Sequence, residues 1–181
     1  MNMILTLPMK QTLKLFALLA SLVGFSLVFA AQPNHSSSVE VPVVQDMSEI
    51  AKIAREKSLP IMLVFSADHC PYCEILENEI IKPMIFSGDY TNRALIYKIN
   101  IDDSNKIIDF DGEQISNFDF ASNQNAYVTP TMVFLDPNGK ELYKRILGVN
   151  TVEMFGGRVD QALAASLNKL RSQTVAKNHS F

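Results

Sequence analysis

The sequence predicts an α/β domain, a mixed β-sheet with helices on both faces. Three observations lead there. An apolar run of buried-strand type, Ile61-Met62-Leu63-Val64-Phe65, leads into Cys70-Pro71-Tyr72-Cys73, and helical spacing of apolar residues follows at Tyr72, Leu76 and Ile80. Strand and helix patterns then alternate, and two strands joined by a helix should lie parallel. The last two strand patterns flank Asp136-Pro137-Asn138-Gly139, a turn that should close an antiparallel hairpin.

The chain opens with Lys10 and Lys14 ahead of an apolar run from Leu15 to Ala31, broken only by Ser21, Gly24 and Ser26. Val28-Phe29-Ala30 carries small or tolerated residues where a signal peptidase reads. Residues 1–30 are therefore expected to be a cleaved signal peptide, and the run is somewhat short for its rival, an uncleaved membrane anchor. Met9 is an alternative initiator. Cleavage leaves residues 31–181, enough for one domain with a real core and little more. The first thirty residues hold two lysines and no acid, so cleavage takes the formal charge from −3 to −5. That balance argues against nucleic acid and anionic membrane surfaces as partners.

Residues 31–45, with Pro33, three serines and Pro42, read as a flexible lead-in in which Val41 to Val44 could add an edge strand. Asp46 with Glu49 forms a capping box for a helix whose apolar face is Ile50, Ile53 and Ala54. Leu59-Pro60 ends it and the strand Ile61 to Ser66 follows. The helix from Pro71 should reach about Ile81, with Pro83 kinking or ending it. Ala94 to Ile101 is a second core strand with Lys98 inside it. Asp111-Gly112 marks a small hairpin, and a short helix is expected around Asn117 to Ser122. Thr131 to Leu135 is a third core strand, paired with Glu141 to Ile146. Asn150 with Glu153 could cap a last helix with an apolar stripe at Val159, Leu163, Leu167 and Leu170. The domain proper is placed at 46–172, with 173–181 a loose tail.

Cys70 and Cys73 are the only cysteines. A thiol reacts as its thiolate, and at a helix N-terminus Cys70 meets unpaired backbone N–H groups and the positive end of the macrodipole. Pro71 suits the first turn, where its missing N–H costs nothing. Cys73, one turn on, is placed to attack a mixed disulfide at Cys70. Other readings are a zinc site, for which two cysteines with His35, His69 and His179 are a poor ligand set, a structural disulfide closing a very short loop, and two inert thiols.

Three segments together resemble the thioredoxin superfamily: Val64-Phe65-Ser66-Ala67-Asp68-His69-Cys70-Pro71-Tyr72-Cys73, Lys98-Ile99-Asn100-Ile101-Asp102 and Val128-Thr129-Pro130-Thr131. The small insertion and Gly148 after the last strand look like the exported SoxW-like branch of periplasmic thioredoxins. The resemblance covers nearly all of 46–171. It implies a thioredoxin fold, a central mixed β-sheet flanked by helices, with a small hairpin-helix insertion before the cis-proline strand. It implies Cys70 as nucleophile, Cys73 as resolving thiol and a redox disulfide between them. Pro130 matches the family's cis-proline, which would leave the Thr129 backbone free to pair with an extended substrate.

The sequence departs from that pattern in two places. The buried aspartate of cytoplasmic thioredoxins is Val64 here, so the lysine that normally lies near it, matched by Lys98, needs another partner: Glu74, Asp68 or a water. His69 replaces the usual tryptophan, and a charged imidazole there would favour the Cys70 thiolate. His69, Pro71, Tyr72 and Lys98 are thus expected to modulate the centre.

The resemblance implies a periplasmic thiol-disulfide oxidoreductase that reduces disulfides of exported proteins, without metal or organic cofactor. It is expected to act as a monomer fed by a membrane electron donor of the DsbD kind. Pro-Tyr between the cysteines and Thr129 also resemble glutaredoxins and Dsb-type isomerases. A Dsb-type isomerase or oxidase is therefore an alternative, and a non-catalytic client-binding module with the same fold is another.

Overall fold

A computed structural model describes residues 39–178. The proposed signal segment 1–30 and the last residues of the tail lie outside them. No helix among the described residues is long and apolar enough to cross a membrane.

Helix α1 (Met47–Lys57) leads into β1 (Ile61–Ser66). Helix α2 (Pro71–Leu76) continues through a π-turn (Glu77–Ile81) into α3 (Lys82–Ser87), followed by β2 (Leu95–Asn100). The insertion is a hairpin of β3 (Lys106–Ile108) and β4 (Gln114–Ser116) with helix α4 (Asn117–Asn123). Strands β5 (Thr131–Leu135) and β6 (Glu141–Leu147) and helix α5 (Val152–Asn178) complete the domain.

The main sheet has the order β2-β1-β5-β6. β1 runs parallel to β2, with Ile61 opposite Leu95, and antiparallel to β5, with Phe65 opposite Thr131. β5 and β6 pair antiparallel with register shifts near Phe134. β1 is buried over its first five residues and β5 throughout, because both faces of the sheet are covered. Alternate side chains serve the two cores. Met62, Val64, Met132 and Phe134 pack with Leu76, Ile81, Phe155 and Val159 from α2, the π-turn and α5. Ile61, Leu63, Phe65, Val133 and Leu135 pack with Met47, Ile50, Ala54, Phe120 and Ala121 from α1 and α4.

Four expectations need correction. The lead-in is ordered over 41–44: Val41 and Val44 are buried, the Val44 N–H donates to the Lys98 carbonyl at 3.0 Å, and the Lys98 N–H to the Pro42 carbonyl at 2.8 Å. This short segment covers the outer edge of β2. Pro83 does not end its helix, which runs on to Ser87. It has no N–H to give the Glu79 carbonyl, and a widened turn absorbs the loss, with the Lys82 N–H bonded to the Glu77 carbonyl. Asn150 does not cap α5; its Oδ1 accepts from the Arg158 guanidinium at 3.1 Å. Finally, α5 runs on to Asn178 where a loose tail was expected. Residues 171–176 are exposed, and extending an existing helix costs little because each residue fixed adds a hydrogen bond.

Asp46 caps α1 as the sequence pattern suggests. Its carboxylate accepts from the Glu49 N–H at 3.0 Å and the Ser48 hydroxyl at 2.6 Å. The Ser48 and Glu49 bonds hold its carboxyl below the usual range. Asp46→Ala should lower stability by about 1 kcal/mol and Asp46→Asn by less. Urea denaturation with an unchanged m-value checks this.

Candidate active site

Topology brings the site together. β1 and β5 are antiparallel, so the C-terminal end of β1 and the N-terminal end of β5 share one end of the sheet. The cysteines follow the first and Thr129-Pro130 precede the second.

The loop after β1 is held by side chains from the end of β2 and the turn that follows it. The Asp102 carboxylate accepts from the Asp68 N–H at 2.8 Å, and the Asn100 amide donates to Asp68 Oδ1 at 2.7 Å. Asn117, from α4, donates to the Asn100 carbonyl at 2.9 Å and ties the insertion to this loop. His69 then takes a left-handed φ of 53°, which turns the chain into the helix.

Cys70 is the N-cap of α2. Its sulfur accepts from the Cys73 N–H at 3.3 Å, and its carbonyl accepts the first helical bonds, from Cys73 and Glu74. Pro71 stands in the first turn, as its lack of an N–H favours. Cys70 and Cys73 are joined by a disulfide, with their Cα atoms 5.2 Å apart. Cys70 is half-buried and Cys73 only 5 % exposed. The outer sulfur stands at the helix N-terminus, where unpaired N–H groups and the helix dipole favour negative charge.

On the other side of the cysteines the Thr129–Pro130 peptide is cis. The Thr131 hydroxyl donates to the Val128 carbonyl at 2.6 Å, and the Gly148 N–H to the Pro130 carbonyl at 2.8 Å. Arg145 reaches back from β6 to the carbonyls of Gln124 and Asn125, at 2.8 and 2.9 Å, and so braces the approach to this loop. The Thr129 hydroxyl lies 3.6 Å from the Cys70 sulfur and donates to it.

Beneath the disulfide, Lys98 finds a partner that the sequence reading did not consider. Its ammonium lies 2.7 Å from Glu77 Oε2. Asp68 is engaged by Asn100, and Glu74 is exposed. Glu77 follows Cys73 by four residues, which places both on one face of the helix. That spacing was the available signal. Lys82 meets the other carboxylate oxygen at 3.2 Å, and Glu40 of the lead-in approaches Lys82 at 3.7 Å. Burial alone would raise the Glu77 carboxyl, but hydrogen bonds and charge from Lys98 and Lys82 together hold it below the usual carboxylate range. A cavity of about 10 Å³ lies between Cys73, Glu77, Lys98, Val64, Ser66 and Val41.

The remaining expected modulators stand outside this cluster. His69 is exposed, and among the described residues no hydrogen bond links its ring to Cys70. Tyr72 is 59 % exposed.

A family model described as a thioredoxin-like domain matches residues 47–163. The chain belongs to this thioredoxin-like family. Among solved structures it is similar to one titled "DsbH Oxidoreductase", with a TM-score of 0.53 and 17 % identity over 74 % of this chain and 92 % of that one. Thioredoxin O2 from Arabidopsis thaliana, in its oxidised state, gives a TM-score of 0.45 and 24 % identity over 70 % and 96 %. The thioredoxin of Fasciola hepatica gives 0.46 and 19 % over 68 % and 97 %. At these identities the likeness is one of fold. A comparison with curated proteins gives no match.

In this thioredoxin-like chain two effects can be read out separately. Thr129→Val removes a donor to the Cys70 sulfur, so the pH midpoint for thiolate formation at Cys70, followed by ultraviolet absorbance, should rise. Glu77 sheds its proton more readily in the folded protein than at the ordinary value of 4.5. Its contribution to stability is therefore complete above that value and lost as the pH falls through the lower folded one. The stability advantage of the wild type over Glu77→Gln, from denaturant titrations, should be larger at about pH 7 than at about pH 3.

Proposed function

We propose that the protein is an exported, periplasmic thiol-disulfide oxidoreductase that reduces disulfides in other exported proteins. The observation that carries this reading is the unequal placement of the two sulfurs. Cys70 is accessible at a helix N-terminus with two hydrogen-bond donors on its sulfur, and Cys73 is buried behind it. The leader-like pattern of residues 1–30 supports export.

In the reductive direction the Cys70 thiolate attacks one sulfur of a client disulfide. The other client sulfur leaves as a thiolate and takes a proton from solvent. Cys73, having lost its proton, then attacks the Cys70 sulfur. The Cys70–Cys73 disulfide forms and the second client thiolate departs. Two electrons have passed from the protein dithiol to the client. Thr129 and Pro130 offer backbone beside Cys70 against which an extended client segment can lie. A membrane reductase of the DsbD kind returns the protein to its dithiol form, and the protein works as a monomer.

Insulin reduction should disappear in Cys70→Ser, while Cys73→Ser should accumulate client-linked mixed disulfides on non-reducing gels. The reduction potential in thiol buffers fixes the direction. A value near roughly −270 mV, as in thioredoxin, agrees with a reductant. A value near about −120 mV, as in DsbA, marks an oxidant and overturns the reading.

A further inference from the structure

The cover that the lead-in gives to the outer edge of β2 stops at Lys98, and Pro42 is the reason. Along a strand, successive residues turn their N–H and C=O to opposite edges. The Leu95 N–H points to β1 and bonds to the Pro60 carbonyl at 2.9 Å. Lys98 points outward, its N–H to the Pro42 carbonyl and its carbonyl to the Val44 N–H. Ile96, two residues before Lys98, therefore turns its own N–H and C=O outward. One step further along the lead-in, the N–H of residue 42 would meet the Ile96 carbonyl, and proline has none. Among the described residues, neither backbone group of Ile96 has a hydrogen-bond partner at this edge, although the residue is only 8 % exposed.

A groove of about 230 Å³ opens at this point. Met84, Ile85 and Tyr90, from α3 and the turn after it, form one wall, on the core that α2 and α5 cover. Leu95 and Tyr97 form the other, on the core that α1 covers, with Lys57 at the end of α1 beside them. Tyr90 is fixed. Its hydroxyl donates to Asp160 at 3.1 Å, and Arg93 lies over its ring and pairs with the same carboxylate at 2.8 Å. Arg93 is thus neutralised. Lys57 is the one charged residue on the walls, and no ion pair holds it among the described residues.

We propose that this groove binds an extended segment of a partner protein, added to the outer edge of β2 as a strand, with an apolar residue opposite Ile96 followed by an acidic one. The open groups select the occupant. An N–H and a C=O on one residue call for a matching pair, which polypeptide backbone supplies. In antiparallel pairing a single residue exchanges both bonds. Its side chain falls on the face of Ile96, against Met84, Ile85 and Tyr90. The next residue stands opposite Leu95 on the other face, where Lys57 favours a carboxylate. The volume is below the roughly 300–1,000 Å³ of sites for drug-sized molecules and suits a side chain. β1 and β2 run parallel, so the start of β2 and the end of β1 lie at opposite ends of the sheet, and the groove stands apart from Cys70. The proposal therefore does not rest on the oxidoreductase reading.

The test uses the capped peptide acetyl-Thr-Val-Leu-Glu-Val-Thr-amide carrying fluorescein, with binding to the whole protein followed by anisotropy. Methylating the leucine nitrogen should weaken binding roughly tenfold, since the Ile96 carbonyl loses its donor. Lysine in place of the probe's glutamate should weaken it roughly threefold. Lys57→Glu, a change at an exposed side chain, should reverse that preference and leave insulin reduction unchanged. Loss on methylation together with reversal in Lys57→Glu supports the proposal. No binding of the parent probe overturns it, as does binding indifferent to the methyl group or to Lys57→Glu. Binding that changes when the disulfide is reduced places the probe at Cys70 and overturns it. A dimer in sedimentation that excludes the probe makes a second copy of this chain the occupant, and overturns it too.

Discussion

The central strand β1 fixes everything around it. It is hydrogen-bonded on both edges, to β2 and β5, and packed on both faces. A strand so confined has one register, since a slip of one residue would exchange Met62 and Val64 for Leu63 and Phe65 between two different cores. Its end point is therefore fixed as well. The chain has only the four residues Ala67 to Cys70 in which to leave the sheet and start a helix, and Asn100 at the end of β2 and Asp102 just after it hold that passage. The position of the Cys70 sulfur is a consequence of sheet geometry more than of the loop itself.

The same confinement shapes the charged cluster below the disulfide. Lys98 lies on β2, whose outer edge would be open were it not for residues 42–44. By pairing with β2 the lead-in covers unpaired backbone and brings Val41 over the cavity. One short segment thus protects a sheet edge and limits solvent access to an ion pair. Partial shielding from water makes the attraction between Glu77 and Lys98 stronger than that of a fully exposed pair.

Much of this was legible in the sequence. The continuous apolar runs at 61–65 and 131–135 and the helical stripe ending at Leu170 report burial, and burial follows from residue type and period. The active-site helix was legible through Pro71 and the spacing of Leu76 and Ile80. The π-turn was not, because Pro83 signals only a missing N–H and not how the backbone adjusts. The partner of Lys98 was not legible from sequence proximity to the cysteines. Glu77 is next to Cys73 only once the helix is wound. The docking of 41–44 on a sheet edge was one reading of the sequence, although Pro42 and the preceding serines also fit a flexible lead-in. These residues speak against regular structure but not against pairing with an edge. The extension of α5 past Leu170 has no periodic signal, since residues 171–176 are exposed.

The difference in depth between the two sulfurs has a consequence for timing. In the proposed reaction a client captured on Cys70 cannot pass its link to Cys73, because a polypeptide has no room to reach a sulfur buried to 5 % exposure. Capture and release therefore belong to different atoms, one facing outward and the other inward. In that reaction forward release of the client depends on attack by the inner thiol, in competition with return attack by the client's own freed thiolate.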